Sequence, residues 1–519
     1  MTCTTMKHPD QINKAEQEQV PSETRLRIND HIMGKLNKIK SDDLHPKGGS
    51  VATIFRVPQN ILGTDENAYK PKIVSLGPYH HQRLGAGGDG AYLKLTFVNK
   101  FLARKFITSD SKYVEDCLKH IEANECRVRK AYSELVDMDS DMFKEMMLLD
   151  CCFVLELLFE FNDQKKKKAE EEKGRTEERR RKKEDECIIN YCCGVLFSRN
   201  IAQQHPYVSK EDPTIIPEET KIEAGIIPKW ALPLVLHDIF MLENQLPFFL
   251  LEKLFEIADV KDVLMEDLIL LITKDIVKGR IGKCKHLLQL FHSCIRPTTN
   301  GTEQEDDGDY NDVVLAFFKE QEQEQVHLVP CARELQEAKV KLVKRKTNSL
   351  LDITFHKASI FDITSFWSGR LEIPRLVIDD GTNTLLRNLI AFEQCYPNAS
   401  DHVTTFACFM DSVIDTNMDV ALLRQGDIIV NGLGCDEDVA LLFNKLCKDV
   451  VIDLSSCYLS GVIKDIKKHC DWKCNKCCAS LKHTYFSNPW AYFSVIAAVI
   501  LFALTLIQTV YTILSYNKQ

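Results

Sequence analysis

The sequence predicts a mainly α-helical fold with a small β-hairpin or sheet element, an α+β chain closed by one C-terminal transmembrane helix. Three observations predict it. Apolar residues recur at three- and four-residue spacing through most of the chain. Between Leu350 and Ile378 the composition turns β-branched and aromatic. Ala491 to Leu514 runs for 24 residues without a charge, about 36 Å as a helix and so enough to cross a hydrocarbon core of about 30 Å.

The 519 residues allow two to four domains, and 45% hydrophobic content is ordinary for a globular chain. With 66 Lys and Arg against 75 Asp and Glu, the net charge of −9 does not favour nucleic acid as a partner. The 20 cysteines are dispersed, include the adjacent pair Cys151 and Cys152, and lack the spacing of a disulfide framework. Reduced thiols are expected.

Residues 1–48 are polar and too poor in apolar groups to offset ordering entropy, so a disordered tail is expected there. A domain spanning 49–488 follows. It opens with Ile54-Phe55-Arg56-Val57-Pro58 and the stretch Tyr69 to His81, which Pro71, Gly77 and Pro78 make extended. His80 and His81 are adjacent, and neighbours in an extended chain point to opposite sides; structural use is favoured over one shared metal ion.

Leu93 to Leu158 reads as at least three helical segments. In the last, Phe143, Met146, Met147, Phe153, Val154, Leu157 and Leu158 form a stripe, and Asp150 lies at its centre. Residues 164–186 form a charged low-complexity insert, the pattern of a solvated linker, a lone helix or a coiled coil. No aromatic residue interleaves its charges, and nucleic-acid binding is not expected.

Leu236 to Phe255 is the longest core-like run outside the C-terminus, yet it carries Asp238, Glu243, Asn244 and Gln245. At about 100° per residue Asp238 shares a face with Leu234, Met241 and Leu242. Pro247 breaks the run, so two helices meeting at a polar elbow are expected, with Asn244 or Gln245 capping the second. Helical patterns continue at Val263 to Ile276 and His286 to Phe291, and residues 298–312 read as an acidic loop.

Strand patterns then occupy Leu350 to Phe355, Ile360 to Phe366 and Leu371 to Ile378, with Ser368-Gly369 as a hairpin turn between the last two. Leu385 to Cys395 is helical and puts Glu393 on the face of Leu386, Leu389 and Ile390. Gly426 to Gly432 reads as a short strand and turn, and Asp436 as the cap of a helix through Leu446. Lys464, Lys467, Lys468, Lys473, Lys476 and Lys482 precede the apolar helix at 490–514 and only Lys518 follows. That bias, with an N-terminus lacking a secretory pattern, places the bulk of the chain in the cytosol, on the plasma membrane or endoplasmic reticulum.

Several stretches together resemble the plant domain-of-unknown-function family number 247. They are Ile54 to Pro58, Val74 to His81, Met146 to Asp150 with Phe153, Leu242 to Phe249, and Arg387 to Gln394. The resemblance implies a single-pass plant membrane protein with no established reaction, in a family of which some grass members are associated with self-recognition between pollen and stigma. The chain departs from the family's pattern at Cys151, where glycine is common, and at the glycine-rich Gly85 to Tyr92.

Asp150, Asp238, Glu243 and Glu393 are the candidate chemistry. Buried charges need partners, so a structural polar network neutralised by Arg56, Arg387 or a histidine is favoured. The alternative is a membrane-tethered, carboxylate-dependent hydrolase with Asp238 and Glu243 as acid and base. The sequence has no P-loop, nucleophile elbow, HExxH or dinucleotide fingerprint, and no cofactor or metal is expected. Between the lysines lie Cys470, Cys474, Cys477 and Cys478; ordinary thiols come first, S-acylation of Cys474, Cys477 and Cys478 second and a zinc site third. The expected function is a non-enzymatic, tail-anchored module that binds an unidentified protein.

Overall fold

The computed structural model describes residues 52–81, 89–104, 107, 109–173, 227–228, 230–260, 265, 284–297, 328–347, 349–357, 369–453, 457–471 and 489–516. The expected tail at 1–48, the acidic loop at 298–312, the strand at 360–366 and Cys474, Cys477 and Cys478 lie outside them, as does nearly all of the Val263 to Ile276 helix. The architecture is mainly helical with a small mixed sheet and a C-terminal apolar helix, as the periodicities predict.

The chain enters through Thr53 and Ile54, whose N–H groups both reach the Ala131 carbonyl at 3.0 Å. One-turn helices at Gln59–Leu62 and Glu66–Tyr69 follow, then an extended run to Tyr79. Helices α1 (Asp89–Leu102), α2 (Asp110–Arg129) and α3 (Ser140–Lys173) form the first layer. The apolar stripe of α3 is buried throughout, and Phe97 and Phe101 of α1 meet Phe153 and Phe159 of α3 ring to ring. Each such phenylalanine contributes about 1.5–3 kcal/mol by leaving water. The backbone of α3 continues to Lys173, into the first part of the charged insert.

The elbow is two helices, α4 (Leu232–Ile239) and α5 (Phe248–Ile257), parted before Pro247. Neither expected cap serves α5. The Phe248 N–H donates instead to the Lys285 carbonyl at 2.7 Å, and the Gln245 side chain accepts from Leu288, inside the first turn of α6 (Leu287–Cys294).

After α7 (Ala332–Glu337) come strands β1 (Val340–Arg345), β2 (Thr354–Lys357) and β3 (Gly369–Pro374). In the sheet order β1-β3-β2, β3 pairs antiparallel with β2 and parallel with β1. The run read as one strand from Leu371 to Ile378 is two. Pro374 lacks an N–H and ends the first, and β4 (Leu376–Ile378) pairs with β5 (Ile429–Asn431) in a separate parallel ladder.

Between these strands run α8 (Asp380–Cys395), α9 (His402–Val413) and α10 (Asn417–Gln425). Asp379 caps α8 by accepting from Gly381 and Thr382. In α11 (Asp436–Leu446) Cys435 holds the N-cap position and Asp436 is the first helical residue, so the helix begins one place earlier than the sequence suggests. Helix α12 (Ser460–Cys470) buries Ile463 and Ile466. Pro489 opens α13 (Pro489–Tyr516), where its missing N–H costs nothing. Its span Ile496–Ile513 is, by length and composition, sufficient to cross a membrane, and none of it is buried.

Candidate functional site

The carboxylates foreseen on apolar faces are all buried, with Asp150 and Asp238 at 0% exposure, Glu243 at 6% and Glu393 at 8%. Three of them converge on one partner, the backbone of the extended N-terminal segment. Asp238, in the last turn of α4, accepts N–H bonds from Lys72, Ile73 and Val74 at 2.9, 2.7 and 2.8 Å. Glu243, in the elbow, accepts the Val57 N–H at 2.8 Å and pairs with Arg56 at 3.0 Å, while His80 Nε2 lies 3.1 Å from it. Asp150, in the middle of α3, accepts the Gly77 N–H at 2.8 Å and pairs with Lys94 of α1.

Asn244 completes the set. Its side-chain oxygen accepts from Leu76, and its amide donates to the carbonyls of Val74 and Asp238. Asn388 of α8 ties the far side by accepting from Leu242 and donating to Ala68. An extended strand without a sheet has unpaired N–H groups, and burial makes each costly. Here the side chains of the elbow replace the missing neighbouring strand.

Arg56 is the cation foreseen for this network; Arg387 is not. Its guanidinium reaches Thr64, Asn383 and the Lys445 carbonyl, and Asp65 at 3.9 Å, away from the four acids. A further buried pair was not read from the sequence: Glu156, at 0% exposure, takes a two-pronged bond from Arg104.

Burial pushes the Asp238 carboxyl up to about 6, against the pull of its three N–H donors and Lys72. For Glu243 burial acts in the same sense, but the bonds from His80 and Val57 and the charge of Arg56 outweigh it and hold the group below its ordinary value. A pair of carboxyls split this way is what acid–base chemistry uses. Here both Asp238 oxygens are engaged by backbone donors, and the Glu243 oxygens by the Val57 N–H and the Arg56 guanidinium.

Glu393 belongs to a second cluster. Its carboxylate accepts the N–H groups of Val403 and Thr404 at 2.9 and 2.7 Å, and so caps α9 from the neighbouring helix α8. His292 Nε2 lies 2.6 Å from Glu393 Oε1, and His402 Nδ1 lies 3.8 Å from the same oxygen. One donor atom from each of the three residues falls within 4.8 Å of the other two. Neither histidine was foreseen. The available signal was His292 four residues after Leu288, on a face that proved buried.

A surface groove lies where α1, α2 and α3 meet, a cavity of about 610 Å³. Val98, Leu102, Val114, Leu118, Leu148 and Leu149 give it an apolar floor, and Glu122, Asp141, Lys144 and Glu145 line it too. Lys144 pairs with Asp141 at 2.8 Å, leaving an acidic surplus.

Residues 54–504 match the model of the family DUF247, described as "Plant protein of unknown function". The chain belongs to this family. The DUF247 match thus spans the extended N-terminal segment held by the acids, the elbow, both sheets and most of α13. Two Arabidopsis thaliana proteins align over nearly their full length. The UPF0481 protein At3g47200 is 27% identical over 497 residues, covering 91% of this chain and 88% of its own. The putative UPF0481 protein At3g02645 is 21% identical over 544 residues, covering 88% and 89%. No solved structure matches the chain.

Proposed function

We propose that this DUF247 protein is a tail-anchored, single-pass membrane protein whose helical domain faces the cytosol and binds another protein without catalysing a reaction. The observation that carries the binding role is the groove between α1, α2 and α3. An apolar floor beside exposed charge is the anatomy of a protein interface. The surplus of Glu122, Asp141 and Glu145 over Lys144 favours a partner segment in which apolar residues are flanked by Lys or Arg.

The anchor reading draws on the length and composition of α13 and on the lysines that precede it. The polar elbow is, in this account, a structural network. Asp238 spends its oxygens on the backbone of 72–74 and Glu243 its own on the Val57 N–H and Arg56, and the hydrolase alternative gains nothing from that arrangement.

The experiment places a photo-reactive phenylalanine at Leu118 in the full chain, expressed in plant cells, and compares it with the same chain carrying Glu122→Lys and Glu145→Lys. The expected result is a discrete adduct with a cytosolic protein that the charge reversals reduce at least fivefold. Adducts absent at Leu118, or insensitive to the reversals, would overturn the groove as the binding face.

A further inference from the structure

We propose that His292, Glu393 and His402 form a buried binding site for one divalent transition-metal ion of the zinc class, which fastens α6, α8 and α9 to one another. The side chains are 3%, 0% and 4% exposed, and each comes from a different helix. Two imidazoles and one carboxylate are a recognised donor set for zinc. With metal–donor bonds of about 2.0–2.2 Å, tetrahedral donors stand roughly 3.3 Å apart. The distances here, 2.6 Å from His292 Nε2 to Glu393 Oε1 and 3.8 Å from His402 Nδ1 to the same oxygen, bracket that value.

The surrounding hydrogen bonds fix which nitrogens carry the lone pairs. His402 Nε2 lies 3.2 Å from the His292 carbonyl, which only accepts, so Nε2 carries the ring proton. Nδ1 then carries the ring's lone pair and accepts from the Ser400 hydroxyl at 2.8 Å, a rotatable donor that turns away when an ion takes that lone pair. The Ser400 backbone also hydrogen-bonds the His292 ring. A backbone carbonyl on the second nitrogen is the arrangement that orients metal-bound histidines. Glu393 spends its other contacts on Val403 and Thr404, leaving the His292 side of Oε1 for the ion.

Charge favours a cation there. Around the Glu393 carboxylate stand two imidazoles, a hydroxyl and main-chain N–H groups, and among the described residues no lysine or arginine pairs with it. The nearby Arg296 is exposed and its charge is screened by solvent. A divalent ion displaces the proton between His292 and Glu393 and answers the buried charge directly. Three protein donors leave a fourth position for water or the Ser400 hydroxyl. Since the cluster is closed to solvent, the ion's work is to hold helices.

The test uses the full chain in detergent, stripped with chelator and then reloaded with Zn²⁺ or with Co²⁺, whose visible spectrum reports its donors. The expected result is about one ion per chain, in keeping with the one cluster among the described residues, with a raised melting temperature. The cobalt spectrum should lack thiolate charge-transfer bands, so the ion is not on one of the cysteines. His402→Gln should cut bound metal at least tenfold and abolish the thermal shift while keeping the helical circular dichroism. If that variant fails to fold, the cobalt spectrum of the unaltered chain decides. Nitrogen and oxygen ligation supports the site. No binding, or thiolate ligation alone, overturns it and leaves a cluster joined by a shared proton.

Discussion

The Gly77 amide and the Asp150 carboxylate meet at 2.8 Å across 73 positions of sequence. Gly77 sits at φ +66°, a conformation that side chains disfavour, and a Cβ there would come within 2.8 Å of the Tyr132 hydroxyl and 3.1 Å of the Gln245 carbonyl. The backbone turns at this point so that its N–H can reach a carboxylate in the middle of α3.

Gly77→Ala therefore combines left-handed strain of about 1 kcal/mol with a close contact that must be relieved at about 1–3 kcal/mol. The expected loss is about 2–4 kcal/mol by chemical denaturation of the detergent-solubilised chain. A variant within 0.5 kcal/mol of the parent, roughly the scatter of neutral surface changes, would show that the contact is not needed.

Two buried groups give opposite pH dependences. His286 accepts the Gln289 N–H on Nδ1 while Nε2 lies 2.9 Å from the Thr53 carbonyl, and burial lowers its pKa from 6.5 to about 3. Below 6.5 the unfolded chain takes up the proton and the folded chain does not, so this group's stability is lost as pH falls toward 3. Asp238 has its pKa raised from 3.8 to about 6, so the folded chain holds the extra proton and stability falls as pH rises between those values. His286→Gln should flatten the acid-side loss and Asp238→Asn the opposing slope, read from denaturation midpoints at pH 4 to 7. Slopes unchanged in both variants would contradict these assignments.

The proposed topology rests on the lysines before α13. Asn398 is exposed in the turn after α8 and heads an Asn-Ala-Ser acceptor, and Asn300 heads an Asn-Gly-Thr acceptor outside the described residues. With the domain in the cytosol neither gains glycan, whereas an acceptor appended after Gln519 does. Endoglycosidase treatment of the membrane-extracted chain reads this directly. Modification of the native sites, with the appended one untouched, would invert the orientation.

Periodicity made the fold class and the buried acids legible, because a carboxylate at helical spacing among leucines is visible in one sequence. Their partners were not legible. The donors to Asp238 are main-chain N–H groups 164 to 166 positions away, and main-chain groups are the same at every residue. Arg387 is a cation that the sequence offers to the four acids, but its side chain reaches Thr64 instead. The strand β1, VKLVKR, went unread because its lysines hide a strand that only its pairing with β3 defines.

The staple itself is tested most directly by residue-resolved hydrogen exchange on the full chain in detergent, comparing the parent with Asp238→Ala. The account predicts that the Lys72, Ile73 and Val74 amides lose at least tenfold protection, about 1.4 kcal/mol or more, while the amides around Phe153 in α3 keep theirs. Unchanged protection at 72–74 in a folded Asp238→Ala chain would contradict it.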